Sequence, residues 1–190
     1  MIRSENKVFH IYSCFQTTMK MKEIIFTQYH DTADQFVDLL SSFSQEEINV
    51  IPYDGCWTAA QVGAHVIKSN RSIIQAMHME AHPAERMPDE RIQELKDVFL
   101  DFNTKLKAPD FIIPEPGLYK KEQLLADLEA SIHELKAISG KVSLSGTIDH
   151  VAFGDITKLE LLHFVVYHTG RHTHQLRKIS QLVKSMKLLR

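Results

Sequence analysis

The sequence predicts an all-α fold, a four-helix bundle with a long connection between its second and third helices. Three observations carry that expectation. Apolar residues recur at spacings of three and four in four separate segments, the mark of helices that bury one face. Glycine (7) and proline (6) are sparse over 190 residues, as suits a helical protein with few turns. Alternation of period two is confined to one short, serine-rich stretch, Lys141 to Ile148. Helices of this kind bury their apolar faces by packing around a shared core.

Residues 1–19 are expected to be an N-terminal extension and residues 20–190 the bundle domain. From Met21 to about Phe43 the stripe is Ile24, Ile25, Tyr29, Ala33, Phe36, Val37, Leu39 and Leu40. A turn cluster, Pro52-Tyr-Asp-Gly55, follows it. Thr58 has the side chain of an N-cap and opens a second helix, which is expected to run to about Ala81 and stop before Pro83. The long connection covers residues 84–120, with a short helix over Glu90 to Leu106. Its loop is marked by Pro109, Pro114, Pro116 and Gly117.

A third long helix is predicted from Lys121 to Ile138, with Leu124, Leu125, Leu128, Ile132 and Leu135 on one side. Gly140 and Gly146 bracket the next connection. Thr157 then caps the last helix, and Glu160 three residues on completes a capping box. Continued to Met186, that helix is roughly 45 Å long at 1.5 Å per residue.

Composition narrows the function. The chain is long enough for one well-cored domain and short for two. A net charge of -2 supplies no global basic field, which argues against a nucleic-acid binder. Two cysteines, Cys14 and Cys56, are too few for a secreted disulfide scaffold, so a cytoplasmic setting is expected. No apolar run approaches the ~20 residues that span a bilayer. Val8 to Phe15 is interrupted by His10 and Ser13 and makes a poor signal peptide.

Eleven histidines are the chemical feature of the chain. In His168-Thr-Gly-Arg-His172-Thr-His174-Gln175, His168 and His172 lie one turn apart on one helical face, with Gln175 on the same stripe. Two such rings can aim nitrogens at one point, a common start of a transition-metal site. His65, beside Val62 and Val66, is expected to face inward from the second helix and supply a third. The alternative is a buried network in which each ring bonds a neighbouring carbonyl, because polar rings in an apolar stripe need partners.

Other spacings carry less. His78 and His82 sit at a helix C-terminus, where histidine suits the dipole. His163 and His174 fall off the His168/His172 face. Glu160-Leu-Leu-His163 has the spacing of a di-iron bundle but lacks the second copy such sites need. There is no Gly-x-Ser-x-Gly elbow and no Gly-rich phosphate loop. The basic tail (Arg177, Lys178, Lys184, Lys187, Arg190) complements the helix dipole.

Two segments resemble the DinB-like superfamily, and within it the YfiT-like subgroup of metal-dependent hydrolases and thiol transferases. One is Trp57-Thr-Ala-Ala-Gln61-Val-Gly-Ala-His65-Val-Ile-Lys-Ser69-Asn70. The other is Phe153-Gly154-Asp-Ile-Thr157 leading into His168-x-x-x-His172-x-x-Gln175. The resemblance spans roughly residues 20–185. It implies a four-helix bundle, often dimeric, with His65, His168 and His172 as metal ligands. It implies a divalent ion, nickel or zinc, as cofactor, and a small-molecule electrophile with a low-molecular-weight thiol as partners. Two positions depart from the pattern: Asn70, where some relatives carry a further histidine, and His150-Val-Ala-Phe153, where relatives often have His-Pro. Gln175 or Tyr167 is expected to orient a ligand or the groups around the site, and Trp57 to wall the pocket or belong to the core. The rival reading is a non-catalytic bundle with a structural ion or a buried histidine network.

Overall fold

Thr58 and Thr157 start the helices that carry His65 and the His168/His172 pair, and both do so with reciprocal caps. In the computed structural model, which describes the backbone of residues 3–188 and the side chains of residues 22–188, Thr58 Oγ1 accepts from Gln61 N while Gln61 Oε1 accepts from Thr58 N. The Thr157 cap is the same: Glu160 N donates to Thr157 Oγ1 at 3.1 Å and Thr157 N to Glu160 Oε2 at 2.9 Å. Each cap satisfies two backbone donors that a helix start otherwise leaves open.

The elements in order are α1 (Arg3–Ser41), α2 (Ala59–His78), α3 (Ile92–Leu100), α4 (Lys121–Lys141), β1 (Thr147–His150), β2 (Gly154–Thr157) and α5 (Lys158–Leu188). Single 3-10 turns cover Glu47–Asn49 and Asp110–Ile112. Helices α1, α2, α4 and α5 form the bundle, and the long connection lies between α2 and α4, as expected. No helix among the described residues is long and apolar enough to cross a membrane.

The α1 stripe buries Ile25, Tyr29, Ala33, Phe36 and Leu40, while Ile24 points to solvent. α1 begins at Arg3, so the backbone is helical on both sides of residue 20; side chains before Lys22, Cys14 included, lie outside the described residues. α2 is the central helix and is buried nearly all round. It passes close to both neighbours at Gly63, where an added Cβ would lie 2.9 Å from Leu40 Cδ2 and 3.3 Å from Leu124 Cδ2.

The apolar core has two parts. One gathers Ile25, Ile73, Met77, Leu135, Ile148, Ile156, Leu161 and Val165. The other gathers Phe36, Leu40, Val62, Val66, Leu124, Leu128, Leu176 and Ile179. Between Val165 and Leu176, α5 buries His168, Thr169, His172 and Thr173 instead. Asn70 and Ser131 continue this polar level, with Asn70 Nδ2 donating to Ser131 Oγ at 3.1 Å. Asn70 is thereby taken up inside the bundle.

Two helix ends fall short of the expected ones, and side chains from α5 account for both. α2 stops at His78, three residues before Ala81, where the buried Lys158 Nζ donates to Met77 O and Met79 O, each at 2.8 Å. α3 stops at Leu100 rather than Leu106, where Arg171 donates to Phe99 O and to Asp101 O. A helix end keeps unpaired carbonyls, and a cation that reaches them replaces the next turn.

The two strands form an antiparallel hairpin in the register Thr147↔Thr157, Ile148↔Ile156. The alternation expected over Lys141 to Ile148 overlaps the first strand only at Thr147 and Ile148, since Lys141 ends α4; the second strand has no counterpart in the sequence pattern. Four residues carry too little pattern to be seen, and the pairing depends on burying Ile148 and Ile156 together against the bundle. Gly154 takes φ +62°, a backbone conformation that side-chain-bearing residues rarely adopt. His82 pairs through its backbone with Thr147, tying the α2–α3 connection to the hairpin.

Candidate metal centre

His65 enters from α2 and His168 and His172 from α5, so the centre is built by two bundle helices whose capped starts set their register. All three rings are buried. One nitrogen from each lies within 4.8 Å of the other two. The Nε2 of His168 is 3.1 Å from the Nε2 of His65 and 3.1 Å from that of His172.

The outer nitrogens decide what the inner ones can do. His65 Nδ1 donates to the Ile112 carbonyl at 2.8 Å. His172 Nδ1 donates to Gln175 Oε1 at 2.8 Å. A neutral imidazole carries one proton, so both Nε2 atoms turn bare lone pairs on His168. His168 can offer one proton at most to these two acceptors. A divalent cation satisfies all the lone pairs at once. Zinc–nitrogen bonds of about 2.0–2.1 Å at tetrahedral angles put ligand nitrogens about 3.3 Å apart, close to the spacings present. An outer hydrogen bond from a ligand ring to a carbonyl or amide oxygen is the usual support of such a site. The three histidines form a cluster able to coordinate a metal.

Electrostatics agree with neutral rings. Burial is the leading cause in each case: it pushes His172 down to about 3, drives His168 well below the ordinary histidine value, and lowers His65 despite its bond to Ile112 O. Arg171, and the charge that a neighbouring ring would carry if protonated, act in the same sense on His168. Imidazoles held neutral are ready for a metal without first losing a proton.

A cavity of about 760 Å³ opens onto the cluster. Trp57 forms one wall, its ring 5.0 Å from that of His65, as expected of it. Phe99, Phe153 and Phe164 form another: Phe164 lies 5.0 Å from His168 and packs on both other phenylalanines. Such walls lower the local dielectric and strengthen charge interactions within.

The remaining expected residues divide. Gln175 lines the cavity and orients His172. Tyr167 does neither; its Oη lies 3.3 Å from His163 Nδ1, on another side of α5. His78 is exposed at the end of α2, and neither it nor His82 joins the cluster. His174 stacks on Phe102 at 4.1 Å on the cavity rim. Glu160 is engaged by Arg86 rather than by His163. His150, whose segment departs from the family motif, is buried, lines the cavity, and accepts from Ala152 N. The Ile112 carbonyl and the phenylalanines of the long connection have no sequence signal, because only packing brings them to the histidines.

A family model described as the DinB superfamily matches residues 28–176. The chain belongs to the DinB superfamily. It is 23% identical over 152 residues to the uncharacterized protein YuaE of Bacillus subtilis (strain 168), covering 76% of this chain and 90% of that protein. Among solved structures, this DinB chain is similar to TT2238, a four-helix bundle protein, with a TM-score of 0.53 and 18% identity over 82% of this chain and 98% of the other. It is also similar to YfiT from Bacillus subtilis, described as a probable metal-dependent hydrolase with an unusual four-helix bundle topology. There the TM-score is 0.56 and the identity 17%, over 84% of this chain and 86% of the other. At these identities the structural likeness speaks to the fold.

Proposed function

We propose that this DinB protein is a divalent-metal-dependent enzyme in which His65, His168 and His172 hold nickel or zinc and which acts as a small-thiol S-transferase or a hydrolase. The observation that carries the reading is the junction of three buried, neutral imidazoles with a cavity of about 760 Å³. Three protein ligands beside an open space suit a catalytic site, whereas structural sites close all four positions with protein. The likeness to YfiT, described as a probable metal-dependent hydrolase, supports the hydrolase branch.

A divalent cation held there supplies Lewis-acid polarisation of an electrophile and a hydroxide or thiolate nucleophile near neutral pH. The protein's own groups do the rest. Ile112 O and Gln175 Oε1 fix two rings in the tautomer that presents Nε2. The aromatic walls exclude water and bind the apolar part of a substrate. The cosubstrate of the transferase branch is a low-molecular-weight thiol, and the second substrate a small electrophile. The proposal includes a cytoplasmic homodimer, supported by the low cysteine count and the family resemblance; gel filtration tests the dimer.

The test is metal content of gently purified protein, followed by a screen of electrophiles with and without small thiols. Stoichiometric metal in wild type that is lost in His168→Ala is expected. Turnover that requires a thiol favours the transferase, and thiol-independent ester or amide cleavage the hydrolase. Stoichiometric metal retained by His168→Ala would sink the assignment. Full metal loading with no turnover would favour the rival reading, a non-catalytic bundle with a structural ion.

A further inference from the structure

Charge is segregated around the cavity. The whole chain has more acids than bases, 24 against 22. Yet the cavity is lined by Lys105, Lys107, Arg171 and Lys178, and by no aspartate or glutamate. The three lysines are exposed and have no ion-pair partner among the described residues. Asp101, on the same connection as Lys105 and Lys107, turns its carboxylate back onto Asn103 N and Thr104 Oγ1. Arg171 donates to the carbonyls of Phe99, Asp101 and Thr104, which anchors the lysine-bearing connection over the cavity. A cleft with walls of low dielectric and charges of one sign concentrates its field on a ligand of the opposite sign.

The cations are also placed in register with the histidines. On α5, His172, Gln175 and Lys178 follow at intervals of three, each about 60° further round the helix, and all three line the cavity. At 1.5 Å per residue, Lys178 stands about 9 Å along the axis from His172. The long connection brings Lys105 and Lys107 to the same opening. Trp57, Phe99, Phe153 and Phe164 line the same cavity.

We propose that the molecule this cavity accepts is an organic anion with an apolar body, its anionic group bound by Lys105, Lys107 and Lys178 and its other end reaching the three histidines. This specifies the substrate class of the proposed metal centre and rests on that reading for the reacting end alone; the lysine pole is a property of the cavity with or without metal.

Trp57, the chain's single tryptophan, lines the cavity and reports its occupancy by fluorescence. The probes are 4-phenylbutyrate and its neutral counterpart 4-phenylbutyramide, titrated into the full-length protein after chelation and again after zinc loading. The acid is expected to bind at least about tenfold more tightly than the amide in both forms, with the preference shrinking as salt is raised. The exposed triple variant Lys105→Glu, Lys107→Glu, Lys178→Glu is expected to lose that preference while keeping wild-type metal content and helicity. Equal affinity for acid and amide in wild type overturns the proposal, and so does an acid preference that survives the triple variant. Failure of the metal assignment looks different: the acid preference persists and depends on the lysines, but His65, His168 and His172 variants bind as much metal as wild type.

Discussion

His172 donates from Nδ1 to Oε1 of Gln175, its neighbour one turn along α5, at 2.8 Å. One amide thereby decides which nitrogen of a buried ring is bare. The proton is committed outward, and Nε2 faces His168 with its lone pair free.

Gln175 is therefore a positioning residue for the metal. Gln175→Ala is expected to weaken metal affinity about 10- to 100-fold, the usual cost of losing an outer hydrogen bond to a ligand ring. Gln175→Glu, which keeps the acceptor, is expected to restore it. Competition with a chromophoric chelator measures both, and unchanged affinity in the alanine variant would exclude the role.

Stripping the metal should leave most of the helicity in place. The two core clusters lie on either side of the histidines and do not run through them. Far-UV circular dichroism before and after chelation checks this. Wholesale loss of helix on chelation would instead mark the ion as structural, since its binding free energy would then be folding free energy.

Acid should destabilise the metal-free protein. His172 is pushed down to about 3 by burial, while an unfolded histidine titrates near 6.5. Between those values the unfolded chain binds the extra proton, so stability rises with pH and falls as pH drops below about 6.5. The slope is about 1.4 kcal/mol per pH unit for each such ring, or about 2 kcal/mol for His172 between pH 6.5 and 5. Urea unfolding of the metal-free protein at several pH values tests the sign. His172→Gln should flatten the dependence.

Glu160 is a second acid-sensitive point, remote from the cavity. Burial on its own would raise its carboxyl, but the Arg86 guanidinium at 2.6 and 2.7 Å, with the backbone N–H groups of Thr157 and Arg91, brings it below the ordinary glutamate value. Its contribution is present above the unfolded value and is lost as pH falls toward the folded one. Arg86→Ala leaves a buried carboxylate without its partner and should cost about 3–5 kcal/mol, read by urea unfolding. A loss under 1 kcal/mol would show that the ion pair does not hold the α2–α3 connection to α5.

Residues close in the chain make the helices legible from the sequence. The Thr58 and Thr157 caps, the α1 and α4 stripes and the one-turn spacing of His168 and His172 all follow from helical period and side-chain reach. Where the reading ran short, the reason was a partner far along the chain. Lys158 ends α2 from 81 residues away at Met77, and Arg171 ends α3 from 72 residues away at Phe99. The hairpin failed to stand out because its strands are stabilised by burial against the bundle rather than by pattern.

By itself, then, the chain's order of residues determined four helices, their apolar faces and a pair of histidines aimed the same way, since each depends on neighbours within a turn or two. The inward face of the second helix already pointed to His65 as the third ring; tertiary packing decided that its Nε2 comes 3.1 Å from that of His168, that Ile112 O holds its outer nitrogen from 47 positions away, and that lysines and phenylalanines from the long connection close around them. Distances across a bundle depend on how whole helices dock, and no local spacing encodes that.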